Sequence, residues 1–226
     1  MSASLGQRLS SAVGRVVITP VLPSPRPRRL VQLYTGLVLY GLSGALLVDS
    51  DLGTMPWDVL HQGLSLRVGL SIGTWSILVG AALMLLWIPL RQKPGLGTLS
   101  NVVVVGTTVD LFLWLLPGSD SLAVRVLQLV LGTVVCAVAT GCYIGAGLGP
   151  GPRDGLMTGL AARGMSVRLA RTSLEAAVVA TGFLLGGTVG VGTLVFALSI
   201  GPLTQVFLPL LRMPEQTPET SALPEG

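Results

Sequence analysis

Asp58 and His61 stand three residues apart in "LGTMPWDVLHQGL", Leu52 to Leu64, directly after Pro56. At that spacing a carboxylate and an imidazole share one face of a helix and can act as a proton-responsive pair. The plainer reading of this only histidine is a solvated side chain near an interface. Asp154 follows Pro152 in the same way that Asp58 follows Pro56. A proline fits the first turn of a helix, and an aspartate two positions on lies beside the unpaired N–H groups and the positive end of the dipole.

Ionisable residues are scarce inside the apolar runs: Asp110 and Glu175, with Gln205 where the repeat maps Asp110. Such groups are costly in lipid and ordinarily face a cavity or a partner. Glu175 has a plain partner in Arg171 at i, i+4 spacing. Asp110 has no local partner and is the better candidate for binding a solute or coupling its movement. By their places along their runs, Asp110 belongs to the outer half and Glu175 and Gln205 to the inner half, one gate on each side.

Other chemistry finds little support. "GLSIG", Gly69 to Gly73, fits the G-x-S-x-G nucleophile pattern, but in a chain with 30 glycines the match is weak, and the one histidine that could serve as base, His61, lies ten residues back in the same connection. No metal-ligand cluster, Walker loop or dinucleotide fingerprint occurs, so neither a metal nor a cofactor is expected, and no enzymatic activity. Cys136 and Cys142 fall on different faces of one helix and read as packing residues, not a disulfide.

The elements that must position these residues are membrane helices. The 226 residues are 50% hydrophobic and 11% charged, with mean hydropathy +0.76, far from a soluble domain. Runs of roughly 20 apolar residues, enough to cross a bilayer, cover Leu30–Val48, Leu70–Leu90, Leu96–Pro117, Val126–Leu148, Thr172–Val191 and Gly192–Leu211. Pro56–Val68 and Pro152–Met165 are helical in pattern but too short and polar to cross, so they are expected to be interfacial or re-entrant.

Residues 1–27 lack the apolar core of a secretory signal and are expected to form a disordered cytoplasmic arm, with at most a frayed helix around Leu5–Val17. The segment 213–226, rich in Pro, Glu and Thr, is expected to be a disordered cytoplasmic tail. The formal charge of +4 does not point to nucleic acid. With both termini inside, 12 of the 14 basic residues lie in cytoplasmic segments and only Arg67 and Arg125 outside, as the positive-inside rule requires.

Shifted by 96 residues, "LGTMPWDVLHQGL" falls on "LGPGPRDGLMTGL", Leu148 to Leu160, with seven of thirteen positions identical. The match continues from "GLGTL", Gly95 to Leu99, to "GVGTL", Gly190 to Leu194, and from Asp110 to Gln205. Three crossings per half is an odd number, so the second half is expected upside down: an inverted repeat of about residues 30–117 and 123–212 within one membrane domain, 28–212. Gly53 and Gly149 permit the sharp turns before each short helix, while Gly63 and Gly159 permit close helix packing.

The "LGxxPWDxxxxGL" string, its "LGPGPRDGL" partner and the six-span size resemble the YczE/YyaS/YitT-type bacterial integral membrane proteins, above all the YczE-like branch, over residues 30 to 212. The resemblance implies a multi-pass protein of the bacterial cell membrane and supplies no substrate or catalytic residue.

The fold expected is therefore all-α, a polytopic membrane bundle of about six transmembrane helices in two inverted three-helix repeats, each with a short Pro-Asp-started helix. In paired inverted halves such helices often point their starts at a shared polar site; the plainer reading is a structural elbow. The function expected is a secondary transporter or permease for a small polar solute, with Asp58, His61, Asp110, Asp154, Glu175 and Gln205 as candidate solute or coupling residues and Gly53, Pro56, Gly63, Gly149, Pro152 and Gly159 as its structural motif. Its partners would be the lipid bilayer, the solute and a second copy docked through glycine faces such as Gly141, Gly145 and Gly149 or Gly182, Gly186 and Gly190. The alternative is a non-transporting accessory or scaffold protein that docks a partner on those faces; an intramembrane hydrolase using Ser71 stands third.

Overall fold

Prolines, serines and glycines decide where the helices of this chain start and stop. Pro56 and Pro152 occupy the first turns of two short helices, each with its aspartate in the same turn; the missing proline N–H is one that no helix could pair there. Ser71 and Ser166 cap the helices that follow, accepting from Thr74 N and Leu169 N. Gly69 ends the first short helix in the left-handed region, at φ 85°, where glycine carries no steric penalty.

The computed structural model describes residues 26–214. The helix expected around Leu5–Val17 and the chain after residue 214 lie outside the described residues. The described elements are all helical: α1 (Arg26–Asp49), α2 (Pro56–Val68), α3 (Ile72–Leu90), α4 (Leu96–Leu115), α5 (Leu122–Gly145), α6 (Pro152–Ala161), α7 (Val167–Leu184) and α8 (Val191–Leu211). The order long, short, long, long thus occurs twice. Helix α1 already includes Arg26 and Pro27, and Met213 is buried, so the packed chain reaches slightly beyond residues 28–212 at both ends.

Helices α1, α3, α4, α5 and α8 are long and apolar enough to cross a membrane. Helix α7 is not among them, because Arg168, Arg171 and Glu175 crowd its first turns. It also ends at Leu184, short of the Val191 expected, where Gly186 turns the chain at φ 102° and Gly187 N donates to Gly182 O. Helix α6 stops at Ala161 instead of Met165, and Gly164 turns the chain at φ 99°. The outer faces present Leu85, Ile88, Trp114, Leu184, Leu198 and Leu210, as a lipid-facing surface requires.

Helices α1 and α5 form the centre and run antiparallel. Arg29, at the start of α1, donates to Ala146 O beyond the end of α5, and Arg125, at the start of α5, donates to Ser50 O and Asp51 O beyond the end of α1. Arg29 and Arg125 are 96 residues apart, so each half closes the helix end of the other with the same residue. Leu33, Leu37, Val105 and Val109 fill the core of α1, α4 and α5, and Leu47, Leu129, Phe196 and Ile200 that of α1, α5 and α8.

A second exchange holds the chain before each short helix. Gly97 N donates to Leu148 O and Gly192 N to Leu52 O, both at 2.7 Å. The "GLGTL" turn of one half therefore grips the "LG" elbow of the other. Gly53 and Gly149 turn those elbows at φ 110° and 118°, and Thr98 and Thr193 cap the gripping turns by accepting from Gly95 N and Gly190 N. In lipid an unpaired backbone group costs several kcal/mol, so such turns persist only where the protein itself pairs them.

The glycine faces expected to dock a second copy are occupied within the chain. A side-chain carbon at Gly145 would lie 2.4 Å from Leu211 O, at Gly182 2.5 Å from Leu60 N and at Gly190 2.4 Å from Leu52 O. Gly63 lies against Gly182 O, while a carbon at Gly159 would lie nearest the side chains of Leu90 and Gln92, at 3.1 to 3.2 Å.

The grip gives a direct test. A carbon added at Gly192 would lie 2.5 Å from Gly53 O, and one added at Gly97 2.9 Å from Gly149 O. Gly192→Ala and Gly97→Ala are expected to destabilise the purified protein by about 1–3 kcal/mol, the usual cost of overpacking. Gly201→Ala, which meets nothing within 4 Å, is expected not to lower the thermal unfolding midpoint at all.

Candidate functional site

The grip on both elbows brings the first turns of α2 and α6 face to face inside the bundle. Trp57 and Arg153, equivalent positions of the repeat, meet there: the guanidinium carbon lies 5.1 Å from the indole centroid, a cation–π distance. Arg153 also approaches Asp58, with Nη2 3.9 Å from Oδ1. The positions at which the two copies differ most in chemistry are thus the positions that touch.

Asp58 is buried and bonded within its own helix, its Oδ1 lying 3.0 Å from His61 Nδ1. The pair expected from the spacing is therefore formed, and it is dry: His61 has no exposed surface, and its Nε2 has no hydrogen-bond partner. A buried carboxylate requires such a partner, because its desolvation is otherwise uncompensated. Asp154 is held by Tyr143, whose hydroxyl donates to Oδ2 at 2.7 Å. Tyr143 packs edge-on against Tyr40, with centroids 6.0 Å apart.

Tyr40, Trp57, Tyr143, Arg153 and Asp154 form the floor of a chamber of about 350 Å³, within the range of small-molecule sites, and Asp58 and His61 lie behind that floor. Its walls come from α5, α7 and α8 and include Thr140, Phe196, Ile200 and Thr204. Glu175 and Gln205 both line it, and Glu175 bonds Arg171 Nε at 2.8 Å as the i, i+4 spacing predicts. Met157, the counterpart of His61, also lines it.

The chamber exists because two helices stand apart. Helices α7 and α8 scarcely touch, and the space beside Gly201 is open. Their counterparts α3 and α4 are pressed together: a carbon on Gly106 would lie 2.5 Å from Gly73 O, and one on Gly73 2.0 Å from Gly106 O. Gly106 and Gly201 are 95 residues apart in equivalent places. The same contact is thus closed in one half and open in the other.

Asp110 is the latch of the closed contact. Its Oδ1 accepts from Gly73 N at 2.7 Å and its Oδ2 from Ser71 Oγ at 2.6 Å. Expected to bind solute, it caps the start of α3 instead and does not line the chamber. Ser71, the serine of "GLSIG", is engaged by Asp110 and Thr74, while the imidazole of His61 is engaged by Asp58. Gln205 occupies the place of Asp110 in the open half and Ser166 that of Ser71, each 95 residues on.

The structure therefore brings Asp58, His61 and Asp154 together with Arg153, places Glu175 and Gln205 on the same chamber, and sets Asp110 apart. Sequence reasoning did not include Arg153, Tyr40 or Tyr143 in the site. Arg153 was legible as the charged counterpart of Trp57, whereas the tyrosines carry no motif and declare themselves only through contact. Among the described residues, no three His, Cys, Asp or Glu side chains are grouped so as to hold a metal ion.

Long apolar helices with lipid-type outer faces around a buried polar centre define a polytopic helical membrane protein. A family model described as a family of unknown function, DUF6198, matches residues 27–209. An uncharacterized protein of Haemophilus influenzae is 40% identical over 184 residues, covering 80% of this chain and 84% of the relative. The uncharacterized membrane protein YczE of Bacillus subtilis is 32% identical, covering 78% and 83%, and the uncharacterized protein YyaS of the same organism is 30% identical, covering 78% and 90%. No solved structure matches. The chain belongs to this YczE/YyaS-type family of membrane proteins, as the motif resemblance implied.

The two acid–donor pairs should differ sharply in weight. Asp110→Asn leaves one amide group facing a donor and is expected to cost about 1–3 kcal/mol of stability. Glu175→Gln breaks a pair whose arginine is half exposed and should cost well under about 1 kcal/mol. Thermal unfolding of the two purified variants measures the difference.

Proposed function

We propose that this protein is a secondary transporter for a small polar solute, built as an inverted repeat with six crossing helices, α1, α3, α4, α5, α7 and α8. The half-helices α2 and α6 aim their starts at the solute from opposite sides. With both termini cytoplasmic, the chamber opens inward between α7 and α8 and is sealed outward at α3 and α4. This one-sided opening between otherwise matching halves supports the reading most, because alternating access needs one gate open while its counterpart is shut.

The movement follows from the latch. Release of Asp110 from Ser71 and Gly73 would part α3 from α4, and closure of α7 on α8 would bring Gln205 to the start of α7 at Ser166. Helix α8 contains Pro202 directly after Gly201, and a proline inside a helix removes a backbone bond and permits a hinge. Asp58 and His61 form the coupling pair, one residue back from the solute behind Arg153 and able to change charge together.

No enzymatic activity and no cofactor enter this reading. A scaffold role would need the glycine faces for docking, and the chain packs against those faces itself.

Uptake into proteoliposomes tests the proposal. In a panel of small amino acids, carboxylates, sugars and amines, at least one compound is expected to enter saturably. Asp58→Asn should reduce that uptake by about tenfold or more. In a chain with Cys136 and Cys142 replaced by alanine, oxidation of the Ser166→Cys/Gln205→Cys pair should stop uptake and reduction should restore it. Saturable entry of no compound, or uptake unchanged by the formed disulfide, would contradict the proposal.

A further inference from the structure

The charged groups of the chamber, and Asp58 behind its floor, differ in what they lack. Asp58 has His61, Asp154 has the hydroxyl of Tyr143 and Glu175 has Arg171, each at 3.0 Å or less. Arg153 alone has no acceptor within hydrogen-bond distance among the described residues: its nearest carboxylate oxygen is 3.9 Å away, and one face of its guanidinium is taken by Trp57. Its side chain is 20% exposed, and it lines the chamber. A guanidinium presents a planar fork of donors whose natural partner is a planar oxyanion held by two parallel bonds.

Taking the chamber as the solute site proposed above, we infer that its ligand is a small organic monocarboxylate, with the carboxylate on Arg153 and an apolar body against Phe196, Ile200 and Met157. The indole of Trp57 fixes the plane of the fork, so less side-chain freedom is lost on binding. The charge of the site selects a single negative charge. Arg153 has Asp58 at 3.9 Å and Asp154 next to it in sequence, and the chamber's other cation, Arg171, is already paired with Glu175, so a dianion such as phosphate would meet more carboxylates than free cations. A cationic or neutral solute would displace water from the fork without giving its donors an acceptor, which is the costly outcome for a donor covered on binding. The volume of about 350 Å³ admits a body of a few carbons or one aromatic ring.

Binding to the full chain in detergent, followed by thermal unfolding, tests this without any transport step. The probes are acetate, butyrate and benzoate, set against butyramide, benzamide, butylamine and inorganic phosphate. Acetate, butyrate and benzoate are expected to raise the unfolding midpoint saturably, and the amides, amine and phosphate to leave it in place. Arg153→Lys keeps the charge but loses the fork and should weaken butyrate about tenfold, and Arg153→Gln about a hundredfold. Ile200→Trp, which fills the chamber without touching Arg153, should abolish the benzoate effect and keep that of acetate. Equal stabilisation by the amides or amine, stabilisation by phosphate in place of carboxylates, no response to any carboxylate, or unchanged butyrate binding in Arg153→Gln would each overturn the inference. Carboxylate binding without uptake would leave this site standing and remove the transporter, whereas uptake of a neutral or cationic solute without carboxylate binding would do the reverse.

Discussion

The bonds from Gly97 N to Leu148 O and from Gly192 N to Leu52 O are the constraint on which the remaining structure depends. A short helix inside a membrane bundle cannot settle its own starting point, because its first N–H groups and the turn leading into it have no water to satisfy them. Here each turn is paired by the opposite half, at a distance only glycine allows. A carbon at Gly95 or Gly190 would lie 2.4 Å from the carbonyl of Leu148 or Leu52. Once both elbows are held, Pro56 and Pro152 fix where α2 and α6 begin, and Trp57 and Arg153 are brought into contact as a consequence.

The exchange also separates what is rigid from what differs between the halves. Arg29 and Arg125 bind the ends of α5 and α1 in matching fashion, and the two glycine turns bind in matching fashion. The departure lies in the third and fourth helices of each half. Asp110 draws α3 onto α4 through two charge-assisted bonds, whereas Gln205 in the same place lines open space. A carboxylate makes stronger bonds to N–H and O–H donors than an amide does. Asp110 against Gln205 is therefore a physical reason for the first half to be the one that is shut.

Much of this was legible in the sequence. Pro56–Val68 is reproduced residue for residue as a helix, because proline at its start and glycine after its end are local signals. The pairing of Asp58 with His61 and of Glu175 with Arg171 followed from helical spacing alone. Helix α7 did not, because its apolar run reads onward through Gly186 and Gly187, which turn the chain, and its arginines belong to the helix and not to the loop before it. The role of Asp110 was hidden for a different reason. Its partners lie on another helix, and lack of a partner along one helix says nothing about contacts across a bundle. The alignment of Trp57 with Arg153 marks where the two copies differ, but that the two side chains meet follows only from the packing of the halves.

The central claim is that the two matching contacts, α3 with α4 and α7 with α8, exchange open and closed states around one polar chamber. Spin labels placed in pairs across α7 and α8 and, in a second sample, across α3 and α4 measure both distances by pulsed electron resonance in lipid nanodiscs. With a bound solute present, the α7–α8 pair is predicted to gain a shorter distance while the α3–α4 pair gains a longer one, in equal proportion. A single unchanged distance for both pairs, with and without that solute, would contradict the account.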